Sequence, residues 1–229
     1  MKGNQYIKKH WEVFSNIPFK EQGAIGDRPA EWVTRHGVQN VPQGNQLLKH
    51  QLSRAEVREI CLNENNDVLF GYVCAMAWGV QGRGPNGSKP VQKAWDNREK
   101  ITLKLEKIRG GGLSISESYD LFTGSNTIPY LGPSYFTKLI YFFRPRVDVY
   151  IMDQWTAKSV NLLTGRKVVK LSGSSPLRSN SSNDYKDFCK EISHMAQLLG
   201  ISGDHVEQNL FSSGGKEPEP WRIHVKNFL

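Results

Sequence analysis

Cysteine is scarce. The 229 residues hold three, Cys61, Cys74 and Cys189, odd in number and scattered. That leaves no disulfide framework and no zinc or iron–sulfur spacing, and is the usage of a reducing compartment. Long apolar runs are missing too: no stretch reaches about 18 apolar residues, so no membrane span is expected. The amino-terminal MKGNQYIKKHWEVF lacks the apolar centre of a secretory leader, so a cytoplasmic setting is expected. A phosphate loop is absent: GVQGRGPNGSKP has neither the GxxxxGKS/T spacing nor a strand–turn–helix setting. No segment repeats, and strand signals are limited to VDVYIM and RIHV. His194 and His224 stand alone without ligand spacing and read as structural or surface groups. Neither a metal nor a cofactor is expected.

What is present is positive charge on a foldable chain. Lys plus Arg number 30 against 22 Asp plus Glu, a formal net charge of +8. That excess favours a polyanionic partner, nucleic acid first. A hydrophobic fraction of 38% separates the chain from disordered sequences. DRPAEWVTRHG reads as a short helix with Asp27 or Arg28 near its cap and Gly37 near its end. Ser53 with Glu56, and Ser114 with Glu117, have capping-box spacing. The apolar run 66–80 has helical length. Residues 91–109 read as one basic amphipathic helix, and DYKDFCKEISHMAQLLG and GDHVEQNLFSSGG as two more. The serine-rich segment 161–183 loses periodicity and reads as a basic surface loop or a plain connection. The fold class is mostly α.

The stretch from Ile128 to Val160 organises the rest. IPYLGPSYFTKLIYFF reads as a tight turn running into a helix, since Gly132 frees the backbone and Pro133 suits a first helical turn. That helix is apolar almost all round, yet carries Lys138 in its middle and ends at Pro145. Asp153 then precedes QWTAKSV as an N-cap. A lysine on a buried helix either faces a cleft or snorkels to the surface beside a structural cap, and both readings stand.

IPYLG resembles the LPGVG hairpin of the helix-hairpin-helix DNA glycosylase superfamily, with Ile128, Pro129, Leu131 and Gly132 in matching places. LGPSYFTKLIYFF…YIMDQW is similar to bacterial proteins with an 8-oxoguanine glycosylase (OGG) fold. The likeness covers about 40 residues. It implies a two-lobed helical fold with few or no strands. A central domain, 50–170, would carry the hairpin and active site, and residues 1–49 with 171–229 would form the second lobe. It implies Asp153 as the catalytic carboxylate. The superfamily's catalytic Lys or Ser lies two residues after the hairpin's last Gly. Here that place is Ser134, with Lys138 one turn further on the same face. Tyr130, Leu131, Gly132 and Ser134 would hold the DNA backbone. Tyr130 stands where the hairpin has its first Gly, and Pro133 removes a backbone N–H.

The function this implies is excision of a damaged or modified base from double-stranded DNA by a monomeric bacterial or archaeal protein. Trp78, Gln81 and Trp155 are candidates for the base pocket, by stacking and edge hydrogen bonding. An abasic site would result, with strand cleavage if Lys138 forms a Schiff base and simple hydrolysis if Ser134 marks the branch. Two alternatives stand beside it. One is an anti-phage defence glycosylase that removes a bulky modified cytosine. The other is a non-catalytic helix-hairpin-helix DNA-binding module.

Overall fold

The computed structural model describes residues 6–80, 87–173, 175–212 and 218–228. The first eight helices are α1 (Lys8–Ser15), α2 (Pro29–His36), α3 (Arg54–Leu62), α4 (Val68–Trp78), α5 (Ser88–Trp95), α6 (Arg98–Arg109), α7 (Ile115–Asp120) and α8 (Pro133–Phe143). Then come α9 (Gln154–Thr164), α10 (Ser182–Leu199), α11 (Gly203–Phe211) and α12 (Pro220–Asn227). The fold is mostly α. Among the described residues the one sheet is a two-stranded ladder of β1 (Leu171–Ser172) and β2 (Ser175–Pro176), antiparallel, with Leu171 opposite Pro176. No helix among them is long and apolar enough to cross a membrane.

The described residues fall into two compact units, Gln22–Val147 and the two chain ends, up to Glu21 and from Asp148 on. These limits differ from the 50–170 drawn on the sequence. Residues 22–49 stay with the central unit because Ile25 bridges to Leu52 and Asp27 N–H donates to Ala77 O at 3.0 Å.

The core of the 22–147 unit is α4, every residue of which is buried. Asp67 caps it by accepting from Leu69 N–H at 2.7 Å. Gly71 lets it close on its neighbours: a Cβ there would lie 2.8 Å from Phe143 Cζ on α8 and 3.2 Å from Cys61 Sγ on α3. The capping boxes at Ser53–Glu56 and Ser114–Glu117 start α3 and α7. Gly37 ends α2 in the left-handed region. The single helix expected over 91–109 is two, α5 and α6, because Asp96 closes one and Asn97, in a non-helical conformation, opens the next.

In the other unit α9 is central, and both chain ends pack around it. Tyr6 Oη donates to Glu191 Oε2 at 3.1 Å and contacts His194 Nδ1 at 2.8 Å. Ile7 N–H donates to Leu163 O. Phe14 lies 5.0 Å from the Trp221 ring. Trp221 Nε1 donates to Ser159 Oγ at 2.9 Å, and Ser159 passes the bond on to Leu210 O. His194 and His224 are thus structural partners, His224 through His10.

Neither of the two strand signals becomes a strand. VDVYIM is irregular backbone, and RIHV lies inside α12. In the tail the decisive spacing is Trp221 to Val225, both buried one helical turn apart, not the alternation across Arg222–Val225. The segment expected to be a loop holds the β1–β2 ladder. Asn180 pins it, accepting from Lys170 N–H at 2.7 Å and donating to Lys170 O at 2.9 Å.

Candidate active site

The turn before α8 keeps its shape without a glycine at its third position. Leu131 N–H closes on Ile128 O at 3.2 Å, Pro129 takes the second position, and Tyr130 takes the third with φ 60°. A positive φ at that position of a turn favours glycine, so the tyrosine there carries strain. Its side chain is half exposed, whereas Leu131 is buried and anchors the turn. Gly132 is extended and serves as N-cap, its carbonyl accepting from Tyr135 and Phe136 N–H at 2.9 and 3.0 Å. Pro133 is the first helical residue.

Along α8 the buried residues leave a single partly exposed stripe of Ser134, Tyr135 and Lys138. Ser134 and Lys138 therefore share a face, one turn apart. The Lys138 side chain lies along Gly79, the residue that closes α4: a Cβ at Gly79 would meet its Cδ at 2.9 Å and its Cε and Nζ at 3.2 Å. Its ammonium stands 5.3 Å from the Tyr135 ring centroid. The lysine is held by a bare backbone on one side and an aromatic ring on the other.

Asp153 belongs to the other unit and is only 9% exposed. It is the N-cap of α9, and the cap is reciprocal. Asp153 Oδ1 accepts from Trp155 N–H at 2.7 Å and Thr156 N–H at 2.9 Å, while Thr156 Oγ1 accepts from Asp153 N–H at 3.0 Å. Among the described residues Oδ2 accepts no hydrogen bond. One oxygen is fixed by the helix end and the other is left for something else. The Arg222 guanidinium, from α12, interacts electrostatically with this carboxylate. Burial draws the Arg222 guanidinium down to about 10, against the opposing pull of Asp153 and Glu219, so it stays charged at neutral pH.

Trp155, two residues after Asp153, is partly buried under cations. The Arg222 guanidinium lies 3.7 Å from its ring centroid, Lys158 Nζ 4.8 Å and Lys226 Nζ 6.0 Å. Trp78 is 4% exposed, its ring edge-on to Phe142 at 5.1 Å and 5.4 Å from the Arg54 guanidinium. Its indole N–H is buried without a partner among the described residues. Gln81 lies outside the described residues.

Four residues escaped the sequence reading: Gly79, Lys158, Arg222 and Lys226. Reading WRIHVKN as a helix would have placed Arg222 and Lys226 on one face, four apart. Lys158 was equally legible, one turn beyond Trp155. Nothing local marks Gly79, whose role is set by a side chain 59 positions away.

No curated protein and no solved structure matches the chain. A protein-family model does, over residues 20–211, and its description is "Putative 8-oxoguanine DNA glycosylase OGG-like protein". That span takes in the turn, α8, the Asp153 cap and most of the helices, and by it the chain belongs to this OGG-like family.

Proposed function

We propose that the protein is a DNA glycosylase that flips a damaged or modified base out of duplex DNA and excises it, with Asp153 as the catalytic carboxylate. The observation that carries this reading is the divided use of that carboxylate, Oδ1 locked to the α9 N–H groups and Oδ2 without a hydrogen bond among the described residues. Departure of the base breaks the C1′–N bond, takes the bonding pair with it and leaves positive charge on the sugar. A carboxylate held rigid at a helix end stabilises that charge without reorganising. Its second oxygen can accept the proton of the water or amine that adds to C1′. A protein that only gripped DNA would need Asp153 for no more than the α9 cap, which Oδ1 alone provides.

The stripe of Ser134 and Lys138 supplies the two reaction types. With Lys138 as the nucleophilic amine, attack on C1′ gives a Schiff base and opens the strand to elimination. With water as the nucleophile, an abasic site is the product. The turn around Tyr130 to Ser134 is the element proposed to hold a backbone phosphate.

The test is incubation with duplexes carrying a panel of lesions and modified cytosines, 8-oxoguanine first because the family description names it, with gel analysis before and after alkali. Asp153→Asn retains the Oδ1 acceptor and so the cap. Excision by the folded variant falls by about 10² or more while DNA binding persists, the scale of losing one electrostatic stabiliser. Near-normal excision by Asp153→Asn removes the residue from this role. Borohydride decides the branch. A covalent adduct lost in Lys138→Gln identifies a lyase, whereas abasic sites without an adduct identify a hydrolytic enzyme.

A further inference from the structure

Three cations converge on the Trp155 indole from two helices, Lys158 on α9 and Arg222 and Lys226 on α12. Each gains a modest cation–π attraction. Each also repels the other two, and packing like charges together is unfavourable unless an anion completes the set. The described residues do not supply that anion fully. Among the described residues neither Lys158 nor Lys226 makes an ion pair, and the carboxylates that act on Arg222 are Asp153 and Glu219.

The three are not equivalent. Arg222 is 6% exposed and tied to the carbonyls of Phe211 and Ser212, so it is a fixed part of the platform. Lys158 is partly exposed and Lys226 exposed, so their ammonium groups can reach a ligand. The end of α9 is not what attracts the anion, because its leading N–H groups are already taken by Asp153 Oδ1. The attraction is side-chain charge on an aromatic base, next to the proposed catalytic carboxylate.

We infer that Trp155, Arg222, Lys158 and Lys226 form a phosphate clamp that grips one phosphodiester of the DNA backbone beside the nucleotide being excised. This rests on the glycosylase reading for the nucleotide's identity, though not for the binding. Trp155 then acts as the aromatic base on which the cations are set out. With the phosphate docked there, the adjoining sugar is carried toward Asp153, whose carboxylate holds the Trp155 N–H at 2.7 Å. The ligand is a phosphodiester in a strand rather than free phosphate, since Lys158 is partly exposed and Lys226 exposed, and neither is enclosed as in a pocket for a small anion.

The test uses the full chain and a duplex bearing a tetrahydrofuran abasic analogue, with affinity measured across a salt series. Lys158→Gln/Lys226→Gln lowers the slope of log affinity against log salt by about 0.9, the value for the one phosphate that is no longer neutralised. Lys186→Gln/Lys190→Gln, which removes the same charge from exposed positions of α10, leaves the slope within about half a unit. A scan of single methylphosphonate linkages then locates the gripped phosphate: among the positions where wild type loses affinity, there is one at which the Lys158→Gln/Lys226→Gln variant loses none further. An unchanged slope, an equal drop in the α10 control, or the same methylphosphonate penalties in variant and wild type overturns the clamp. So does inorganic phosphate that competes equally well against both proteins. Because the readout is affinity, a wild type that binds but excises no base sinks the glycosylase reading and leaves the clamp to be judged by its own slope.

Discussion

At Gly79 a single methyl group would fall 2.9 Å from Lys138 Cδ, with Nζ only 3.2 Å away. The backbone there has φ −79°, so alanine fits the main chain without strain and the conflict is with the lysine alone. A flexible side chain yields to such a conflict at little cost. Gly79→Ala is therefore expected to fold with a stability loss under about 1 kcal/mol, yet to push the ammonium off its present position. If Lys138 is the nucleophile, the borohydride-trapped adduct falls by about 10², the usual consequence of moving a reacting group by an ångström. Hydrolytic excision would be spared, so the ratio of adduct to abasic product is the measurement. An unchanged ratio with normal yields means that Gly79 does not position Lys138 for chemistry. The same geometry bears on Lys138 itself. A lysine expected on an all-apolar helix would face a steep burial cost, but α8 is not apolar on the stripe of Ser134, Tyr135 and Lys138, and the lysine is only partly buried.

Between elements, the His10–His224 contact is where α12 depends on α1. His10 Nδ1 and His224 Nε2 are 2.9 Å apart, so one ring must donate and the other accept. Burial and the nearby Lys9 hold both rings below the ordinary imidazole value of 6.5. The unfolded chain therefore binds protons in a range where the folded chain does not. The pair's contribution is complete above about pH 6.5 and is lost as pH falls through the depressed folded values. Urea melts from pH 8 to pH 5 should show stability falling on the acid side, with a shallower fall in His10→Asn/His224→Gln. An identical pH dependence in the two proteins would remove the pair as its source. These contacts also show what was legible in the sequence. Helix starts were readable, because a cap is local: Ser53 with Glu56, Ser114 with Glu117 and the Asp153 cap all form where spacing placed them. Partners were not. RIHV alternates like a strand, and only Trp221 packing on Phe14, some 200 positions earlier, shows the tail to be a helix with Arg222 on its inner face. The base-pocket candidates had even less to go on, for Trp155 is met by cations that α12 brings from far along the chain.

Over the whole molecule, the unit that carries Asp153 is closed by both ends of the chain, so its integrity rests on residues far from the proposed chemistry. Phe14 is 1% exposed and packs 5.0 Å from Trp221, whose indole N–H is bonded to Ser159 on α9. Removing that ring leaves a cavity beneath α12, the helix that supplies Arg222 and Lys226 to the Trp155 platform. Phe14→Ala is expected to cost about 3–5 kcal/mol, as for other buried aromatic truncations. The loss should not be shared evenly, since Phe14 and Trp221 both belong to the unit formed by the chain's two ends. Hydrogen exchange should show protection falling in α1, α9 and α12 while the fully buried α4 keeps its own. DNA binding should then take on the smaller salt slope expected of a protein without the clamp, and excision should fall with it, although Phe14 is part of neither the clamp nor the proposed catalytic group. Uniform loss of protection through α4 and α12 alike would instead mean that the chain unfolds as one cooperative body, and that its two ends stabilise the entire protein rather than the unit they close.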